Sequence, residues 1–205
     1  MNILLAGGTG LVGRAVTQRL AGRNDVALLS LVRTATLPVE RAVEFERLAE
    51  VEPGPVDAGI SCLGTTIRTA GSQGAFRRVD HDYVVALASL ARNNGARQFI
   101  LVSSVGAGRG GFYLRVKGEV EAAVGALGFE RVDLIRPGLL LGPRAERRPS
   151  EQLAQRFAPL LNPFVPARYG AIEAEAVAAA ITALVGAQKT GRHIHHNPEL
   201  RALAA

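Results

Sequence analysis

The chain has 205 residues, 48% of them apolar and 20% charged, and its formal net charge is +6. These values are typical of a globular protein, and the length fits one domain. The single cysteine excludes an internal disulfide, and we expect neither a signal peptide nor a membrane-spanning segment. We therefore predict one domain over residues 1–205, a cytoplasmic location and no membrane partner.

Arginine supplies nearly all of the positive charge, because Lys117 and Lys189 are the only lysines. The arginines are scattered and few aromatic residues lie among them, which is not typical of a nucleic-acid surface. An anionic small ligand explains the charge equally well, so we predict no nucleic-acid partner. Since arginine is the default cation in this chain, the two retained lysines are the more informative basic residues.

Predicted strands and helices alternate along the chain. Continuous apolar runs, typical of strands buried in a parallel sheet, alternate with stretches of helical periodicity. The predicted strands cover residues 3–6, 26–32, 57–62, 98–103, 131–136 and 192–196, with a weak one around Val43 and Phe45; the predicted helices cover 12–20, 74–93, 113–127, 153–161 and 172–185. This order predicts an α/β doubly wound parallel sheet, the Rossmann fold, with a short substrate-side region in residues 142–205.

A glycine-rich turn joins the first strand to the first helix. In "AGGTGLVG", Gly7, Gly10 and Gly13 are three residues apart. We predict that Gly7 takes a positive φ, that Gly10 admits a pyrophosphate close to the backbone, and that Gly13 lets the helix pack on the sheet. The helix N-terminus offers free N–H groups to the anion. The residues predicted to line this phosphate site are Gly7, Thr9, Gly10, Leu11, Val12 and Gly13. The alternative is a tight turn without a ligand.

The second strand ends in a cation rather than an acid. Cofactors with a free ribose 2′-hydroxyl usually meet an Asp or Glu about 20 residues beyond the glycine turn. Here Arg33 follows the strand and the first acid is Glu40. A guanidinium binds a 2′-phosphate and a carboxylate repels it. We therefore predict NADP(H) over NAD(H), with Arg33 as the phosphate ligand and Arg14 as a second one; a solvated arginine at the strand end is the alternative.

A serine pair, a tyrosine and a lysine follow the fifth strand. Ser103 and Ser104 come at its carboxyl end, and Tyr113 and Lys117 are spaced to share one helix face. An adjacent ammonium favours the phenolate, so the tyrosine would exchange a proton while the serine holds the substrate oxygen. Lys117 would also hold the nicotinamide ribose. A packed tyrosine and a solvated lysine are the alternative.

Several stretches together resemble the atypical short-chain dehydrogenases/reductases, and in particular the small oxidoreductase family that includes the HIV Tat-interacting protein. They are "AGGTGLVG", "SCLGTT", "RVDHDYV", "LVSSVGA", "FYLRVKGEVE" and "RPGLLLGPR". The resemblance implies a bound NADP(H), a catalytic pair of Tyr113 and Lys117, and Ser104 as the substrate-orienting serine with Ser103 as the fallback.

The resemblance also assigns two further cofactor segments. Cys62, Leu63, Gly64 and Thr65 match the segment beneath the adenine ribose, whereas Pro137, Gly138 and Leu139 match the turn at the nicotinamide amide. A homodimer through the tyrosine-bearing helix is expected from the same likeness. The region after the sixth strand is shorter than is usual, which leaves the substrate open.

Other features favour plainer interpretations. "HIHH" at residues 193–196 lacks a third ligand in the sequence, so we predict no metal site and expect a terminal strand or solvated tail. Arg144, Arg147 and Arg148 favour a solvated loop over a site for an acidic substrate. We expect Cys62 to be a buried strand residue without nucleophilic function, and Asp80 and Asp82 to be a polar helix face.

The leading hypothesis is an NADP(H)-dependent oxidoreductase acting on a small carbonyl or alcohol through Ser104, Tyr113 and Lys117. An NADP(H)-binding redox sensor or regulatory module without turnover is the alternative. A nucleotide-sugar epimerase or dehydratase ranks lower, because the short C-terminal region leaves little room for a sugar nucleotide.

Overall fold

The computed structural model describes residues 1–142 and 166–205. A seven-stranded sheet, parallel throughout, forms its centre, in the order β3-β2-β1-β4-β5-β6-β9. Its strands are β1 (Asn2–Ala6), β2 (Ala27–Val32), β3 (Glu40–Ala42), β4 (Ala58–Ser61), β5 (Gln98–Val102), β6 (Arg131–Ile135) and β9 (Gly191–His195). A separate parallel pair joins β7 (Leu139–Leu141) to β8 (Ala171–Glu173). The predicted doubly wound Rossmann sheet is confirmed.

Seven α-helices occur within the described ranges, and the longer ones cover the two faces of the sheet. They are α1 (Leu11–Ala21), α2 (Ile67–Ala70), α3 (Gln73–Arg77), α4 (Tyr83–Asn93), α5 (Phe112–Gly125), α6 (Ala174–Leu184) and α7 (Asn197–Ala204). A π-helical turn (Arg78–Asp82) joins α3 to α4, and 3-10 helices cover Phe45–Glu50 and Ala167–Tyr169. None of these helices is long and apolar enough to cross a membrane.

Alternation along the buried strands divides the core between the two faces of the sheet. In β1, Ile3 and Leu5 face the layer of α1, α6 and α7, whereas Leu4 faces α4 and α5. In β5, Ile100 joins the first cluster and Leu101 the second. β1 and β5 are therefore apolar on both faces at these positions, which explains the continuous apolar runs in their sequences.

The structure differs from the sequence prediction mainly at short elements. The third strand is Glu40–Ala42 rather than the segment around Val43 and Phe45, because Phe45 starts a 3-10 helix that buries its ring. The predicted helix over 74–93 is interrupted by the π turn.

The chain end holds a helix that the sequence analysis did not predict. It starts at Asn197 and has Pro198 in its first turn. The Glu199 carboxylate accepts a hydrogen bond from the His196 N–H at 3.0 Å. Both features are helix-start signals. The pair of β7 and β8 was also missed. The helix predicted over 153–161 lies outside the described residues.

Candidate functional site

The protein's own packing requires two of the three glycines in the turn. Gly7 has a φ of +86°, and a Cβ built there would lie 2.3 Å from the Cys62 carbonyl carbon. A Cβ on Gly13 would lie 2.0 Å from the Gly7 oxygen. Gly10 is different, because a Cβ there would meet only the Gly7 oxygen, at 3.4 Å. Close packing within the chain therefore does not require a glycine at position 10.

The N-terminus of α1 is exposed and lacks a side-chain cap. Gly10 is the N-cap residue in extended conformation, no side chain bonds its first-turn N–H groups, and that turn holds no acidic residue. Thr9 and Gly10 are exposed, whereas Leu11 is half-buried and Val12 is buried. Free N–H groups and the positive end of the helix dipole point out of this turn, which suits an anion.

A cleft of about 740 Å³ opens above this turn. It lies between the carboxyl ends of β1, β2 and β4, the edge where parallel α/β sheets bind ligands. The sequence-predicted residues that line it are Gly7, Thr9, Gly10, Arg33, Cys62, Leu63, Gly64 and Thr65. Leu11, Val12, Gly13, Lys117, Pro137, Gly138 and Leu139 are not among the lining residues. The structure thus brings together the residues predicted for the adenosine half of a dinucleotide.

The far wall of the cleft is aromatic and was not predicted. Phe45 and Tyr83 pack with ring centroids 5.6 Å apart, and the Tyr83 hydroxyl donates a hydrogen bond to the Glu46 carboxylate. That bond lowers the pKa of Glu46, whereas burial and the same carboxylate raise the pKa of Tyr83. Phe45 and Glu46 belong to the 3-10 helix and Tyr83 to α4, and these two elements meet only in the folded chain.

The first acid after β2 is directed away from the cleft. Glu40 accepts hydrogen bonds from the backbone N–H groups of Thr36 and Leu37, at 2.7 and 3.0 Å. The Thr36 bond is the main reason that the pKa of Glu40 lies below its usual value. Arg33 is exposed at the cleft and has no hydrogen-bond or ion-pair partner among the residues described. A cation without a counter-charge therefore faces the position at which an acid would be expected.

Lys117 is buried on α5 and pairs with a carboxylate that the sequence analysis had set aside. Its Nζ lies 2.8 Å from Asp80 Oδ1, and both side chains are almost completely buried, with 6% and 1% exposed. Burial opposes the charge of Lys117, but Asp80 and Tyr113 outweigh it, so the pKa of Lys117 is raised. The prediction that Asp80 belongs to a polar helix face is wrong, because the π turn directs it inward; Asp82 is exposed.

The Lys117 ammonium lies directly behind the wall of the cleft. A Cβ built on Gly64, which lines the cleft, would be 3.9 Å from Lys117 Nζ and 3.6 Å from Asp80 Oδ1. The other Asp80 oxygen accepts a bond from the Thr65 N–H at 2.8 Å. Asp80 therefore fixes both the lysine and the segment after β4.

Tyr113 lies one turn before Lys117 and is 37% exposed. Its ring packs on the buried Phe76, with centroids 5.5 Å apart. The hydroxyl is therefore carried on an anchored ring at the surface, on the same helix face as the lysine. Tyr113 is not among the residues that line the cleft.

The structure distinguishes the two serines. The Ser103 hydroxyl is buried and donates to Glu121 Oε1 at 2.6 Å. The half-buried Ser104 hydroxyl makes only a long contact, 3.3 Å, to the Val105 carbonyl oxygen. Ser103 is therefore engaged within the protein, and Ser104 retains a hydroxyl that is free to meet a ligand.

The turn assigned to the nicotinamide end is packed against the C-terminal part of the chain. A Cβ on Gly138 would lie 2.2 Å from the Gly170 oxygen. The buried Asn197 accepts a bond from the Gly138 N–H at 3.0 Å and donates one to the Gly170 oxygen at 2.8 Å. Pro137 and Leu139 flank this glycine, so the turn has a fixed position. Asn197 was not predicted, although it stands at the start of α7.

The other residues considered in the sequence are the histidines at 193–196, Cys62 and three arginines. His195 Nε2 lies 2.9 Å from Asp133 Oδ1, and Arg131 binds both oxygens of that carboxylate. Burial opposes the charge of Asp133, but its hydrogen bonds keep its pKa below the usual range. No group of three metal-ligating side chains occurs in residues 1–142 and 166–205. The prediction that Cys62 is a buried strand residue is wrong, because Cys62 follows β4 and is half-buried at the cleft. Desolvation raises the pKa of its thiol to about 12. Arg144, Arg147 and Arg148 lie outside the described residues.

Comparison with known proteins identifies the relatives of this chain. Protein HTATIP2 of Rattus norvegicus is 40% identical over 169 residues, which cover 76% of this chain and 69% of the rat protein. The chain belongs to the HTATIP2 family. The resemblance predicted from the motifs is confirmed, although no protein-family model matches the chain.

Fungal proteins named FMP52 are also similar. The mitochondrial fmp52 protein of Aspergillus niger is 34% identical over 178 residues, covering 78% of this chain and 76% of that protein. The corresponding protein of Eremothecium gossypii is 37% identical over 153 residues, covering 70% and 68%. Both are named mitochondrial proteins. The prediction of a cytoplasmic location, which was based on cysteine usage alone, is wrong by this comparison.

Solved structures share the fold at low sequence identity. MoeE5 in complex with UDP-glucuronic acid and NAD has a TM-score of 0.72 at 16% identity, over 96% of this chain and 76% of that one. UDP-glucuronic acid 4-epimerase from Bacillus cereus with NAD has 0.71 at 12%, over 96% and 78%. RMD from Pseudomonas aeruginosa with NADPH has 0.68 at 18%, over 96% and 78%. The fold is therefore that of Rossmann proteins that bind NAD or NADPH.

Proposed function

We propose that this HTATIP2-family protein is an NADP(H)-dependent oxidoreductase of the short-chain dehydrogenase/reductase type, acting on a small carbonyl or alcohol. The observation that carries the proposal is the buried Lys117 ammonium directly behind Gly64, at the wall of a cleft that also contains the uncapped N-terminus of α1. An anion site and a held lysine beside an anchored tyrosine are what hydride transfer coupled to proton transfer needs.

Different residues of the chain bind different parts of the cofactor. The N–H groups at the start of α1 hold the diphosphate, with Thr9 and Gly10 closest to it. Arg33 holds a 2′-phosphate through charge-assisted hydrogen bonds. The segment 62–65 lies beneath the adenine ribose. Lys117 holds the nicotinamide ribose, and the 137–139 turn meets the nicotinamide amide.

The catalytic step uses three side chains. When bound, the nicotinamide supplies or accepts the hydride. Ser104 donates a hydrogen bond to the substrate oxygen and orients it. Tyr113 gives that oxygen a proton in reduction and removes one in oxidation. Lys117, held by Asp80, places its positive charge beside the phenol and stabilises the charge that develops there.

Turnover tests the catalytic part of the proposal. Purified protein is expected to oxidise NADPH with members of a panel of small aldehydes and ketones. Tyr113→Phe keeps the ring on Phe76 but loses the proton, so the rate should fall roughly 10²–10⁴-fold. Its affinity for NADP⁺ should stay within about twofold of the wild type, which locates the loss in the chemical step. Equal rates for both proteins would contradict the proposal.

Cofactor preference is tested at Arg33. Arg33→Ala should weaken NADP⁺ binding roughly 10- to 100-fold and leave NAD⁺ binding unchanged, since a charge-assisted hydrogen bond contributes about 1.5–3 kcal/mol. Arg41→Ala is the matched control, because Arg41 is also exposed at this edge of the sheet but bonds the Glu52 carbonyl instead. Equal losses for both nucleotides would refute the assignment of Arg33.

We also propose that residues 1–205 form one domain whose substrate side is residues 142–205. Within the described ranges, support comes from Gly170 and Asn197, which hold the turn at Gly138. The homodimer stays a prediction that sedimentation of the purified protein tests.

A redox sensor built on the same site is the second candidate. It is favoured by the short substrate-side region, and it predicts tight NADP(H) binding without turnover. A partner protein whose affinity differs between the NADP⁺ and NADPH forms would support it, and catalytic oxidation of NADPH by a small carbonyl would refute it.

A further inference from the structure

A buried carboxylate lies behind the proposed site without touching it. Glu121 is on α5, one turn after Lys117, and its side chain is 1% exposed. It accepts a bond from the Ser103 hydroxyl at 2.6 Å and one from Arg136 Nε at 2.9 Å. The terminal nitrogen of Arg136 bonds its other oxygen, and Arg192 Nη2 reaches that oxygen at 3.2 Å.

Each of these partners adjoins a residue of the proposed site. Ser103 precedes Ser104, and Arg136 precedes Pro137 at the start of the turn assigned to the nicotinamide. Glu121 itself follows Lys117 on the same helix. One carboxylate therefore connects the end of β5, the end of β6 and the catalytic helix.

Backbone hydrogen bonds on either side of Ser104 link its position to that of Ser103. The Ser103 N–H donates to the Ile135 oxygen at 2.7 Å, and the Val105 N–H donates to the Pro137 oxygen at 3.0 Å. The strand ladder thus continues past β5, and successive side chains on a strand point to opposite faces. Glu121 fixes the Ser103 side chain, and the two backbone bonds on either side fix the position of Ser104.

We propose that Glu121 is a positioning residue for the nicotinamide end of the site, acting through Ser103 on Ser104 and through Arg136 on the 137–139 turn. This inference rests on the proposed function. The buried Glu121 carboxylate is fully hydrogen-bonded, because two guanidiniums and the Ser103 hydroxyl donate to it. Its bond to Arg136 raises the pKa of that guanidinium. Replacing a whole buried ion network by apolar groups of the same volume is often neutral or stabilising, so stability alone does not explain why this network is charged.

Two ligands test the nicotinamide end and the adenosine end of the site independently. NADP⁺ occupies both ends, whereas 2′-phospho-ADP-ribose has the same diphosphate and 2′-phosphate but no nicotinamide. In Glu121→Gln, the affinity for NADP⁺ should fall about tenfold, the loss of one interaction to a charged group. The affinity for 2′-phospho-ADP-ribose should stay within about twofold. Calorimetric titration measures both without turnover.

Ser103→Ala is the second variant, because it removes a single hydrogen bond and leaves both ion pairs in place. It should lower the NADP⁺ affinity selectively but by a smaller factor, and it decides the question should Glu121→Gln fail to fold. Glu119→Gln is the matched control, since Glu119 lies on the same helix but is exposed and pairs with Arg77. It should leave both affinities unchanged.

Each outcome of these titrations has a defined meaning. A selective loss of NADP⁺ affinity supports the inference, and in turnover it should accompany a fall in kcat of roughly 10²-fold from misplacement of the reacting groups. Equal losses for both ligands, or no loss, would overturn the inference alone. Wild-type protein that binds neither ligand would overturn the proposed function, and the inference with it.

Discussion

Replacing Gly10 by alanine separates the needs of the fold from those of the ligand. The backbone there has φ −75° and ψ 173°, which alanine adopts without strain. The added methyl would meet only the Gly7 oxygen, at 3.4 Å. Alanine is a poorer N-cap than glycine, so the free energy of unfolding should fall by about 0.5–1 kcal/mol.

The expected loss of binding is larger. The methyl would occupy the exposed side of the turn, where the diphosphate is proposed to meet the N–H groups of α1. Displacing the anion from one such N–H costs about 1.5–3 kcal/mol. The Kd for NADP⁺ should therefore rise roughly 10- to 100-fold in Gly10→Ala. Calorimetric titration gives the Kd, and urea unfolding gives the stability.

Gly111→Ala is the matched control for this substitution. Gly111 is the N-cap of α5, with φ −68° and ψ −178°, and a Cβ there would have no atom within 4 Å. It should show the same small loss of stability with unchanged affinity for NADP⁺. A Gly10→Ala protein that is as stable as this control and binds NADP⁺ like the wild type would refute the diphosphate site at α1.

Four further predictions concern the surroundings of the site. Asp80→Asn leaves the Lys117 ammonium buried without a counter-ion and should lower the free energy of unfolding in urea by about 3–5 kcal/mol. The double variant Asp80→Asn with Lys117→Met should recover most of this loss. An unchanged free energy of unfolding in the single variant would contradict the importance of the pair. Because the pKa of Lys117 is raised from 10.5, the stability that the pair provides should be complete at neutral pH and be lost only as the pH rises above that value. The Cys62 thiol is half-buried at the cleft and its pKa is raised to about 12, so it should react with a thiol reagent more slowly in the folded than in the urea-unfolded protein, and equal rates would contradict the raised pKa. Asn197→Ala removes both bonds that hold Gly138 to Gly170 and should lower the unfolding free energy by about 2–4 kcal/mol, whereas an unchanged unfolding curve would show that the turn is held otherwise.

Local sequence signals were sufficient for the sheet and the glycine turn. Strands such as β1 are apolar on both faces, so they appear in the sequence as continuous apolar runs. Gly7 must be glycine because it lies against Cys62 after the neighbouring strand, and Gly13 because it lies against Gly7. The spacing of these two glycines in the sequence therefore predicts the turn. The edge strand Glu40–Ala42 has one half-buried and two exposed residues and therefore no apolar run, so the alternation at Val43 and Phe45 was misleading.

The parts of the site that were missed depend on tertiary contacts. Asp80 looked like one of two acids on a helix surface, and only the π turn directs it to Lys117. The choice between the two serines was open until the fold brought Glu121 against Ser103. No local pattern predicts a partner that lies on another element.

A crystal structure with NADP⁺ tests the central claim most directly. The account predicts the diphosphate on the N–H groups at Gly10, the 2′-phosphate on Arg33, and the nicotinamide ring facing the Tyr113 hydroxyl. A diphosphate bound elsewhere, or a nicotinamide ring remote from Tyr113, would contradict it.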